Sequence, residues 1–150
     1  MKKKHAVIRG LLWVIGIYHI LVGLMFNGPK DLLVWAGKSI GGVTAMPDAG
    51  VFYLAKPFGI YLVAFGVAMC MAAWNPVKNR SLISLAVVLF GLRVIQRLAT
   101  FDETVNVFGV SSARNSGMIA IVAIFGIALL IFRINLLKEM KAGEMEAVEK

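Results

Sequence analysis

The chain has 150 residues, 59% of them hydrophobic and only 16% charged, with a mean hydropathy of +0.81. A soluble domain rarely joins so much apolar residue to so little charge, and several runs reach the roughly 20 residues that cross about 30 Å of hydrocarbon. The single cysteine, Cys70, excludes an internal disulfide and a CxxC motif, and the net charge of +8 is assigned to the cytoplasmic bias of Lys and Arg in membrane proteins, not to nucleic-acid binding.

The expectation is an all-α polytopic membrane protein. One antiparallel four-transmembrane-helix bundle occupies residues 1–135, and a charged cytoplasmic tail occupies 136–150. The basic start Met1-Lys2-Lys3-Lys4-His5 could introduce a secretory signal, but the apolar run that follows is long and no small-x-small cleavage site is present. It is read as a retained first span, about 8–26. Within it Gly16, His19 and Gly23 share one helical stripe suited to close helix contact. His19 falls roughly 10 Å from the outer end at the rise of an α-helix. It is either bonded to a neighbouring helix or part of a site.

Asn27-Gly28-Pro29 ends the first span. The segment from Lys30 to Gly50 is too polar to cross, with a short interfacial helix expected at Asp31–Ala36 and loop signals at Gly41-Gly42 and Pro47-Asp48. Gly37-Lys38-Ser39 is not a phosphate loop, because Leu32 stands where that motif needs glycine and no strand precedes it. The second span is expected over 52–74. Lys56, Gly59, Val63, Gly66 and Cys70 share one face there, and Pro57 is tolerated only if the helix starts beside it, or else kinks it. The polar turn 75–81 makes spans two and three antiparallel neighbours, with Ser81 as the expected N-cap. Span three is expected at 82–100. Span four, at 114–132, carries a small-residue stripe of Gly117, Ala120, Ile124 and Ala128.

If the spans alternate, ten of the 16 basic residues fall on one side: Lys2, Lys3, Lys4, Arg9, Lys78, Arg80, Arg133, Lys138, Lys141 and Lys150. That side is cytoplasmic, so both termini are, and the expected location is a bacterial inner membrane. The same topology puts His19, Lys56, Arg93, Gln96, Arg97 and Arg114, drawn from all four spans, in the outer half of the bilayer. Arg93 and Arg97 are four apart and so lie on one helix face, with Gln96 beside them. An intramembrane arginine costs several kcal/mol unless it snorkels, pairs or meets a ligand. No acidic residue lies within any span, which disfavours a proton- or cation-coupled carrier. Two readings follow. In one, these six residues form a basic outer-leaflet pocket for an anionic lipid, a carboxylate or a quinone-like molecule, since arginine forks suit phosphate and carboxylate. In the other the arginines snorkel and pair, and Gln96 bridges helices.

Catalytic and metal chemistry are poorly represented. His5 and His19 are expected near opposite membrane faces, and there is no HExxH, paired cysteine or carboxylate cluster. Met69-Cys70-Met71 points three ways on a helix and makes a poor copper site. No cofactor is identifiable.

The block Lys56-Pro57-Phe58-Gly59-Ile60-Tyr61-Leu62-Val63-Ala64-Phe65-Gly66, then Asn75-Pro76, then Arg93-Val94-Ile95-Gln96-Arg97, resembles the small four-span BphX-like proteins and, more distantly, the DoxX-like group. The resemblance covers about 80 residues. It implies a four-helix membrane protein accessory to oxidative or aromatic-degradation systems and transfers no catalytic residue. The expected role is therefore a non-enzymatic accessory or ligand-binding protein. Its partners are membrane lipid and either further copies of the chain or a larger membrane complex, docked through the small-residue stripes. A small transporter or channel for an anionic or aromatic solute, or a subunit of a membrane oxidoreductase complex, are the alternatives.

Overall fold

The computed structural model describes residues 6–45 and 49–148. The basic leader Met1–His5, the Pro47-Asp48 turn, and Glu149 and Lys150 at the end of the tail lie outside the described residues. Six α-helices follow in order: α1 (Ala6–Asn27), α2 (Lys30–Ala36), α3 (Ala49–Trp74), α4 (Arg80–Ala99), α5 (Phe101–Phe108) and α6 (Ser112–Val148). A single π-type turn, Gly37–Gly41, extends α2. Four helices, α1, α3, α4 and α6, are long and apolar enough to cross a membrane, and together they form a four-helix membrane bundle. One end of the bundle carries the α3–α4 turn. The other carries α2, α5 and the irregular segments; we call these the turn end and the loop end.

The helices associate as two pairs. α1 packs along α3, α4 packs along α6, and the pairs meet mainly near the turn end. The first pair is joined by four glycines in antiparallel register, Gly16 against Gly66 and Gly23 against Gly59. A Cβ added to Gly16 would lie 2.8 Å from the Gly66 carbonyl oxygen, and one on Gly66 would lie 2.6 Å from the Gly16 oxygen. Gly23 and Gly59 repeat the relation at 2.5 and 2.7 Å. The seven-residue spacing in each helix keeps both contacts on one seam. In lipid, such close backbone packing replaces the hydrophobic effect as the force between helices.

α6 faces α4 with Asn115, Val122, Leu129 and Leu136, again seven apart; Asn115, Leu129 and Leu136 are fully buried or nearly so. This large-residue heptad sets the rotation of α6. The small-residue stripe of the fourth span lies off this seam for most of its length: nothing lies within 4 Å of a Cβ on Gly117, Ala120 and Ile124 are exposed, and Ala128 is half-buried. The turn-end core joins Ile8, Leu12 and Ile15 of α1 to Met69, Ala72 and Ala73 of α3, Ile83, Ala86 and Phe90 of α4, and Leu129 of α6. Arg9 Nε donates to the Ala73 carbonyl at 3.0 Å and Arg133 Nε to the Ser84 hydroxyl at 2.7 Å, so two arginines tie helices together there.

Some boundaries differ from those the sequence suggests. The N-cap of α4 is Asn79, not Ser81, because the turn already closes at Asn79: its N–H donates to the Asn75 carbonyl and its side chain to the Met71 carbonyl. α3 begins at Ala49, which leaves Pro57 inside it and the Tyr53 carbonyl without its helical donor. α5 has no counterpart among the expected elements. Asp102 and Glu103 in its first turn suit the helix dipole, the Thr104 hydroxyl donates back to Thr100 O, and Gly109 ends it at φ 64°. The charged stretch after Arg133 is helical and continuous with the fourth span, as α6 runs on to Val148.

Candidate functional site

The polar groups of α4 form a ladder along one face at the loop end. Arg93 Nη1 donates to Gln96 Oε1 at 3.3 Å, Gln96 Nε2 to Thr100 Oγ1 at 3.4 Å, and the Thr100 hydroxyl to the Gln96 carbonyl at 3.0 Å. The first two are long and weak by distance. Helical spacing alone brings these side chains together, since each step is three or four residues.

Arg97 reaches across to α6, where its Nη1 donates to Asn115 Oδ1 at 2.9 Å. Asn115 is fully buried, and its Nδ2 has no hydrogen-bond partner among the described residues. A buried amide donor without a partner costs about 1–3 kcal/mol. Among the described residues no carboxylate acts on either arginine. Arg97 is the charge within reach of Arg93, and the neutral Tyr18 phenol lies near both guanidiniums. Two guanidiniums in an apolar bundle thus have only neutral hydrogen-bond partners.

His19 of α1 stands beside this face, within electrostatic reach of Arg93. Its Nδ1–H donates to the Ile15 carbonyl at 2.7 Å; the carbonyl only accepts, so the proton sits on Nδ1 and a neutral ring keeps Nε2 as an acceptor. The ring packs edge-on against Tyr18, Phe65 and Phe90, with centroids 5.3, 4.8 and 6.3 Å away.

Of the six residues the sequence singles out, His19, Arg93, Gln96 and Arg97 therefore fall in one neighbourhood. Arg114 does not join them. Its Nη2 donates to the carbonyls of Ser39 and, at 2.9 Å, Ile40, which ties the π-type turn to the start of α6. Next to it, Thr44 N donates to Phe108 O and Thr44 Oγ1 to Gly109 O, both at 3.0 Å. Lys56 lines a separate cavity with residues of α1, α2, α3 and the link between α1 and α2, and with none from α4 or α6. Two residues of the arginine neighbourhood escape the sequence reading, Asn115 and Tyr18. Asn115 carries a signal: it opens the heptad of apolar residues on α6, where a polar side chain needs a partner. Tyr18 carries none, being one aromatic among many.

Two cavities lie elsewhere. One of about 560 Å³ at the turn end is flanked by Trp13, Trp74 and Lys78, and one of about 330 Å³ at the loop end holds Lys56. The arginine face lines neither, so a molecule there would be held on the flank of the bundle. Among the described residues no group of three His, Cys, Asp or Glu side chains is placed to hold a metal ion. No family model, curated protein or solved structure matches the chain.

Proposed function

We propose that the chain is a non-enzymatic membrane protein that binds an anionic or polar amphiphile against Arg93 and Arg97. The ligand carries a phosphate, a carboxylate or a quinone-like oxygen. One observation carries the reading: both guanidiniums stand on an apolar span, Arg93 exposed on its flank and Arg97 half-buried, with neutral partners only, Gln96 for one and Asn115 for the other. An anion supplies the compensation that a membrane-embedded cation requires. The Nε2 acceptor of His19 and the phenol of Tyr18 add polar contacts on the α1 side of the same face.

In this reading the loop end faces outward, and both termini lie in the cytoplasm of a bacterial cell. The basic residues of the turn end support that orientation by the positive-inside rule. The resemblance to BphX-like and DoxX-like proteins agrees with an accessory role, and the outward stripe Gly117, Ala120, Ile124 suits a partner helix. A second reading rests on the Arg97–Asn115 bond, which makes Arg97 a staple between α4 and α6.

Native mass spectrometry of detergent-purified protein, wild type beside Arg93→Leu/Arg97→Leu, separates the two. A molecule retained by the wild type and lost from the folded double variant is the expected result, and its mass gives the ligand class. Identical bare masses for both folded proteins would leave only the staple.

A further inference from the structure

We propose a second site, independent of the arginine face, that holds the phosphate of an anionic phospholipid between Lys30 and Lys56. The two lysines come from different elements, α2 and α3, yet line the same cavity of about 330 Å³ at the loop end. Phe26, Leu33, Phe52 and Tyr53 line it as well, and among the described residues no carboxylate does. Lys30 Nζ sits 5.1 Å from the centroid of the Phe52 ring, so an aromatic face stands where a counter-ion would be. Lys56 is exposed and, among the described residues, makes no ion pair.

Snorkelling alone spreads lysines around a bundle; it does not converge two of them on one hollow. Two ammonium groups with no acid beside them among the described residues call for an anion. The apolar part of the wall selects its source. Three aromatic rings and a leucine gain nothing from inorganic phosphate, but they cover the glycerol and upper acyl segments of a lipid whose phosphate reaches the lysines. The cavity lies at the end of the spans, where lipid phosphates are found. An ammonium group near an anionic headgroup strengthens binding about fivefold, so the pair contributes about thirtyfold.

The test uses full-length, delipidated protein in a non-ionic detergent, titrated with phosphatidylglycerol or phosphatidylcholine and read by native mass spectrometry. Wild type should retain one phosphatidylglycerol in preference to phosphatidylcholine. Lys30→Gln/Lys56→Gln should weaken that retention about thirtyfold. Lys30→Arg/Lys56→Arg should keep it, and Lys30→Gln/Lys56→Gln should cause the same loss in an Arg93→Leu/Arg97→Leu background as in the wild type. A second measurement needs no variant: acetylation of Lys30 and Lys56 in the wild type should slow in phosphatidylglycerol vesicles relative to phosphatidylcholine vesicles, and by more than that of Lys38. Equal retention of the two lipids, or an undiminished Gln variant, would overturn the site. So would loss of the lipid from the Arg93/Arg97 variant alone, which would assign it to the arginine face. Protection of both lysines by millimolar inorganic phosphate as strong as that by lipid would replace the lipid with a free anion.

Discussion

Arg93 and Arg97 share a helix face and a charge, but the structure gives them different environments. Arg97 is held by Asn115, a buried acceptor on another helix; Arg93 has only a 3.3 Å contact to Gln96 on its own helix. Interhelical hydrogen bonds in membranes average about 0.6 kcal/mol, whereas bonds to charged groups run to about 1.5–3 kcal/mol. The Arg97–Asn115 bond combines charge with burial, so a double-mutant cycle with Arg97→Leu and Asn115→Leu should show about 1–2 kcal/mol of coupling in detergent unfolding. Simple additivity of the two losses would mean that the contact does not matter. Arg93→Leu should leave the unfolding midpoint unchanged or raise it, because a lipid-compatible side chain replaces a poorly paired cation. A clear fall in the midpoint of Arg93→Leu would count against a ligand role and for a structural one.

At the scale of elements, the α1–α3 seam depends on the absence of side chains. Gly23→Ala and Gly59→Ala place a methyl group where a backbone oxygen already lies, so each should cost about 1–3 kcal/mol by overpacking. Gly117→Ala and Gly91→Ala meet open space within helices and should instead stabilise by up to about 1 kcal/mol through the better helix propensity of alanine. Thermal unfolding in detergent of these four variants checks both signs, and equal effects on the two sets would refute the seam. The loop end depends on a different element. Arg114 holds the carbonyls of Ser39 and Ile40, so Arg114→Ala should speed proteolysis within 37–45 severalfold while leaving the span helices intact. An unchanged cleavage rate would make that clasp incidental.

The whole molecule is a thin bundle with its large apolar side chains on the outside. Leu21, Ile60, Val88, Ile95, Ile124 and Ile127 are all about half exposed or more. Such a surface would aggregate in water and is well solvated by lipid chains. α6 outruns the membrane: its 37 residues span about 55 Å against about 30 Å of hydrocarbon. Its last turns therefore project beyond the turn end, where the chain becomes charged. The proposed topology predicts that, in a Cys70→Ser background, Ser39→Cys reacts with an impermeant maleimide on intact cells and Asn79→Cys only after permeabilisation. The opposite pattern would invert the orientation, and labelling of both from outside would break the four-span arrangement.

The sequence by itself determined the class, the four spans to within a few residues at most of their ends, and the glycine faces of the first two. Those properties are one-dimensional, because hydropathy over a span's length and the 3.6-residue period are carried by neighbours in the chain. It also placed Arg93, Gln96 and Arg97 on one face, for the same reason. Only the tertiary structure decided which faces meet. Gly16 and Gly66 find each other, and Asn115 turns α6 so that Gly117 points away from α4, because large buried side chains set helix rotation and sequence spacing does not. The same packing sends Arg114 to the carbonyls of the π-type turn and Lys56 to the cavity with Lys30. A shared leaflet, which topology supplies, constrains depth along the bundle axis; the position around that axis is set by helix contacts between residues far apart in the chain.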